Sequence, residues 1–106
     1  MPRFWRRGAP NEEPEDPTIV SIADAPARRR VLVRGQVVRM RTRPVQGLPS
    51  LAIVISDESG MASVVFAGRR EIGGISLGRR IVVEGVAVEV AGALEFTNPA
   101  YTLLPL

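Results

Sequence analysis

The chain has 106 residues, no cysteine, no histidine and a formal net charge of +3. That length holds one domain, and the lack of cysteine excludes both a disulfide framework and thiolate metal sites. No stretch is long and apolar enough to cross a bilayer and the N-terminus lacks the apolar run of a signal peptide, so a cytoplasmic protein without membrane contact is expected.

Charge is segregated along the chain. All fourteen basic residues are arginine; residues 11–24 carry five carboxylates, and residues 28–43 carry seven arginines and no carboxylate. A basic body behind an acidic leader points to a polyanionic partner. Residues 1–17 are expected to form a disordered tail, since residues 11–17 hold Glu12, Glu13, Glu15, Asp16 and two prolines with nothing to bury. Residues 18–106 are expected to fold. Ile19, Val20 and Ile22 are apolar while Pro26 forbids a long helix, so this segment is expected to plug one end of a barrel.

Residues 30–41 read as a long first strand with a built-in bend. Val31, Val33, Val38 and Met40 face one core only if the alternation slips midway, and Gly35 stands where the slip is expected, as a bulge or barrel corner. A bent strand of this kind belongs to both halves of a small closed sheet. Residues 42–50, with two prolines and a glycine, read as a loop rather than a tight turn. Residues 51–56 and 61–66 are strands two and three, joined by the hairpin turn Asp57, Glu58, Ser59, Gly60. Residues 67–79 hold four glycines and read as a loop with one helical turn. Strand four, residues 80–90, echoes strand one, with Glu84 and Glu89 where the first strand has Arg34 and Arg39. An antiparallel register in which paired numbers sum to 123 sets Arg34 opposite Glu89 and Arg39 opposite Glu84. Strand five begins at Leu94, is interrupted by Asn98 and Pro99, and resumes at Tyr101. The expected core includes Val31, Val33, Ile53, Ile55, Val64 or Val65, Val86, Val88 and Phe96. The expected fold is all-β, a five-stranded Greek-key barrel.

Catalysis has little to stand on. There is no imidazole base and no thiolate, and neither the Asp57/Glu58 nor the Glu84/Glu89 spacing makes an acid/base pair. Asp57 reads as a turn-capping group rather than a metal ligand. Gly73, Gly74 and Gly78 lack the Lys and Ser or Thr that a phosphate-binding loop needs. A non-enzymatic protein with no cofactor is expected.

Taken in order, the bent strand with Val-x-Gly-x-Val, then Ser-Asp-x-x-Gly, Val-Val-Phe, Leu-Gly-Arg-Arg-Ile-Val-Val-x-Gly and Asn-Pro-x-Tyr-x-Leu-Leu resemble the OB-fold nucleic-acid-binding family. The series is similar to the wedge domains of bacterial branched-DNA helicases and to small stand-alone bacterial OB-fold proteins, the latter also through residues 68–75. The resemblance spans residues 28–104. It implies binding of single-stranded or branched nucleic acid on the face of strands two and three, flanked by the loop after strand one and the loop between strands four and five. The candidate contacts are Arg39, Arg41 and Arg43, which lead into the first loop, and Arg69 and Arg70, which follow strand three. Phe66 is the stacking candidate, because Phe96 shares parity with Leu94 and is expected inside, while Tyr101 is expected to close the barrel. Arginine then supplies most of the binding, which is expected to be sequence-tolerant and salt-sensitive. The rival reading is an OB-fold module that docks onto a protein partner in a larger assembly, favoured by the shortage of aromatics.

Overall fold

The computed structural model describes residues 18–106; the expected tail, residues 1–17, lies outside the described residues. Eight strands form one sheet: β1 (Ile19–Val20), β2 (Arg30–Val45), β3 (Leu48–Ser56), β4 (Met61–Ala67), β5 (Arg80–Val86), β6 (Val88–Val90), β7 (Ala93–Thr97) and β8 (Ala100–Leu103). A single 3-10 turn, Ile22–Asp24, follows β1. The sheet runs β6-β7-β4-β3-β2-β5-β8, with β1 added in parallel beside the start of β2. It curls strongly into a barrel-like shell, because β2 pairs with β5 along its first half and with β3 along its second. Gln36 is the hand-over residue, opposite Arg80 on one side and Ser56 on the other.

The inward faces build one core from Val33, Val37, Ile53, Ile55, Val64, Ile81, Val83 and Phe96, all almost fully buried. Val31, at the start of β2, and Val65 are buried too. Ile22 of the 3-10 turn joins the core, as the plug expectation required. Ile72 and Ile75 in the glycine-rich loop are also buried in it. That loop holds turns and no helix: four glycines leave only isolated i to i+3 bonds, such as Ile75 N–H to Ile72 O at 3.1 Å.

Several expectations are corrected. The slip in the first strand lies at Val38, not Gly35: partner numbers shift by one between Val37 and Arg39, and Val38 is the extra residue, 46 % exposed. Gly35 continues the inward parity at the strand's corner, where an added Cβ would sit 3.0 Å from Ile55 Cβ and 3.1 Å from the Ser56 carbonyl oxygen. Residues 42–50 are no loop. β2 and β3 run to a two-residue turn at Gln46 (φ 51°) and Gly47 (φ 81°), the left-handed pair that matches strand twist in a hairpin. Pro44 and Pro49 face each other next to the closing pair Val45 and Leu48. That site is a non-hydrogen-bonded one whose N–H positions point away from the partner strand, so the prolines remove no bond between the two strands.

Val86 and Val88 are outside the core, at 51 % and 42 % exposed. The parity of Ile81 and Val83 carries through Gly85 without a slip, so Ala87 is the inward residue, and the ladder breaks there. Arg28 N–H donates to the Ala87 carbonyl at 2.7 Å. Strand five is likewise cut at Asn98 and Pro99 into β7 and β8. Asn98 has φ 51°, its N–H donates to the Val65 carbonyl, and its Oδ1 accepts from Ala67 N–H at 2.9 Å, so it fastens the end of β4. The register of β2 on β5 sums to 116, not 123, placing Arg34 opposite Val82 and Glu84 opposite Leu32. Neither expected charge pair forms. Glu84 instead meets Arg30 at 3.5 Å on the surface.

Candidate functional site

The bulge at Val38 decides where the arginines point. Before it, even-numbered residues of β2, Arg34 and Gln36 among them, face outward; after it, the odd-numbered Arg39, Arg41 and Arg43 do, opposite Val54, Ala52 and Ser50 of β3. Without the extra residue the alternation would turn these three guanidinium groups toward Ile53 and Ile55. Burial of unpaired charge there would be prohibitive. The bulge therefore makes an arginine stripe, one side chain every second residue on the outer face of a strand.

The stripe overlooks a groove of about 240 Å³. Arg39, Arg41 and Arg43 form one side, Ala52, Val54, Ser63 and Val65 the floor, and Val90, Ala93, Leu94 and Glu95 the other side. The walls thus come from two hairpins, the one that turns at Gln46 and Gly47 and the one that turns between β6 and β7 at Ala91 and Gly92, the latter two also at positive φ. The outward parity of β3, β4 and β7 supplies the floor, which explains why Val65 is buried although it faces away from the core.

The three arginines are not equivalent. Arg43 Nη2 donates to Glu95 Oε2 at 3.0 Å, and Arg43 Nε is buried without a partner among the described residues. Among the described residues, Arg39 and Arg41 form no ion pair. Arg69 and Arg70 are exposed in the loop after β4 and do not line the groove. Phe66 is not an exposed stacking face: it is 4 % exposed, sharing the inward parity of Ala62 and Val64, and its ring packs edge-on against Tyr101 at 5.5 Å and 72°. Tyr101 itself stays partly exposed, at the rim rather than inside. Glu95 is the groove residue that the sequence reading missed. Its signal was present, since an inward Phe96 forces its neighbour outward.

A second groove, about 690 Å³, lies beside the first half of β2 and is lined by Arg34, Gln36, Arg80, Ser56 and the Asp57–Ser59 turn. Asp57 is committed to structure. Ile22 N–H donates to its Oδ2 at 2.9 Å; the Ser59 N–H and hydroxyl and the Gly60 N–H donate to its Oδ1 at 2.7, 2.6 and 3.0 Å. Desolvation pushes this carboxyl up, but those bonds, the Ser59 hydroxyl foremost, outweigh it and hold the pKa at about 2, below the ordinary 3.8. Arg79 is structural as well, its Nε donating to the Leu104 carbonyl at 3.0 Å. Among the described residues no cluster of three carboxylates could hold a metal ion, and no helix is long and apolar enough to cross a membrane.

No protein-family model matches the chain, and comparison with curated proteins finds no significant similarity.

Proposed function

We propose that the protein is an OB-fold single-stranded nucleic-acid-binding protein that holds phosphates with Arg39 and Arg41 and acts without chemistry. The observation that carries this reading is the bulge-directed arginine stripe above a groove with an apolar floor, flanked by two hairpins. The strand order supports the fold half of the reading. If β5 with β6, and β7 with β8, are each one broken strand, and the two-residue β1 is set aside as an addition to the edge of β2, five strands remain. Their pairing places the first between the second and fourth, and the fifth between the third and fourth, the order of a Greek-key OB barrel. Phosphates meeting arginines that form no ion pair among the described residues give binding that tolerates sequence and weakens with salt. Arg69 and Arg70 lie outside the groove and add at most peripheral contacts.

The rival, a module that docks onto a protein partner, draws on two observations: among the described residues the groove walls hold no aromatic side chain, and both hairpins expose aliphatic ones, Leu48 on the first and Val88 and Val90 on the second. Fluorescence anisotropy with labelled twelve-nucleotide DNA and RNA at two salt concentrations separates the two. Binding that falls with salt supports the nucleic-acid reading. No binding to either strand at low salt leaves the docking module.

A further inference from the structure

The groove that carries the arginine stripe also holds a carboxylate, and a surface that only gripped phosphates would be weakened by one. Glu95 stands on β7 with its side chain 18 % exposed, its Oε2 occupied by Arg43 Nη2. The other oxygen, Oε1, accepts no hydrogen bond among the described residues and is not sealed from the groove. Beside it, the buried Nε of Arg43 lacks an acceptor among the described residues. At this end the groove therefore presents an open acceptor next to the exposed end of the Arg43 guanidinium, over the side chain of Val65.

A carboxylate facing a polyanion repels its phosphates unless it meets a donor, and in single-stranded DNA the donors are the N–H groups of the bases. Cytosine and adenine each carry an exocyclic amino group at the Watson–Crick edge, with a ring-nitrogen acceptor beside it that an arginine can reach. Uracil and thymine offer only a ring N–H flanked on both sides by carbonyl oxygens, which would face the carboxylate directly.

We propose that the Arg43–Glu95 pair is a base-reading site: Glu95 accepts from the exocyclic amino group of a splayed base, Arg43 donates to the neighbouring ring-nitrogen acceptor, and the groove thereby selects cytosine or adenine over uracil and thymine. This rests on the nucleic-acid reading above and adds to it a selectivity that an arginine stripe alone would lack. The division of labour follows the geometry, with Arg39 and Arg41, which form no ion pair among the described residues, on the backbone and the paired Arg43 on a base.

The test compares dC12 with dU12, two pyrimidine strands that differ at the Watson–Crick edge, by anisotropy at one salt concentration. The wild type is expected to bind dC12 at least about fivefold more tightly, the lower end of what a two-bond base contact contributes. Glu95→Ala, its fold checked by a melting curve, is expected to bring the ratio to about one, while Arg41→Ala weakens both strands by the same factor. Equal wild-type affinities for the two strands, or an undiminished ratio in Glu95→Ala, would overturn the base-reading site and leave the nucleic-acid reading standing. Binding to neither strand would remove that reading and this site with it.

Discussion

Asp57 ties the β3–β4 turn to the 3-10 turn that packs Ile22 into the core, and replacing it tests that role quantitatively. In Asp57→Asn the amide keeps an acceptor for the Ser59 and Gly60 N–H groups but presents N–H to the Ile22 N–H, where the wild-type Oδ2 accepts at 2.9 Å. A hydrogen bond to a charged group contributes about 1.5–3 kcal/mol. Water reaches this partly open turn, so the expected loss is about 1–2 kcal/mol, or about 4–16 °C in Tm for a domain of this size. The pH dependence identifies the cause. The carboxyl's folded pKa, about 2, lies below its ordinary 3.8, so its contribution is present above pH 3.8 and is lost as pH falls through 2. Thermal melts of both proteins from pH 6 down to pH 2 should show the gap between them narrowing below pH 4. A gap that stays constant across that range, or Tm values equal at pH 6, would refute the reasoning.

Other perturbations follow from the same geometry. Gly35→Ala forces a Cβ against Ile55 Cβ at 3.0 Å and the Ser56 carbonyl at 3.1 Å, so chemical denaturation should show a loss of about 1–3 kcal/mol with the slope unchanged. Arg41→Ala removes an exposed side chain without an ion pair among the described residues and should move stability by no more than about 0.5 kcal/mol. Arg43→Ala strands the half-buried Glu95 and should cost about 1 kcal/mol in the same denaturation experiment; equal stability of the two variants would mean that the Arg43–Glu95 bond contributes nothing.

The parts of the fold that were legible in the sequence are those where alternation of apolar residues runs unbroken. Ile53 and Ile55 of β3, the Asp57 turn and the inward Phe96 can each be read from neighbours within a few positions. What misled was punctuation. Gly35 and Gly85 look like slips, yet both keep parity, while the true bulge falls on Val38, a strand former with no signature of its own. A bulge is set by the partner strand's register, which no local window contains. The same long-range dependence moved the charge pairs, since a register sum of 116 instead of 123 sends Glu84 to Arg30. The prolines at 44 and 49 argued for a loop because their harmlessness depends on facing each other at a non-hydrogen-bonded site. Among the site residues, the arginine stripe was legible as a cluster but not as a face. Phe66 was misplaced because Val64, Val65 and Phe66 are buried in succession, two by the core and one by the groove.

The central claim is that Arg39 and Arg41 hold the backbone of a single strand, and the salt dependence of binding measures it directly. Each phosphate contact to a single strand contributes about 0.7 to the slope of log K against log salt, so the two give a slope of at least about −1.4, roughly a sevenfold loss from 50 to 200 mM. Anisotropy titrations with dC12 across that range should return such a slope for the wild type, and one shallower by about 1.4 for the Arg39→Ala/Arg41→Ala variant at unchanged Tm. A wild type that binds without salt dependence, or a double variant with the wild-type slope, would contradict the account.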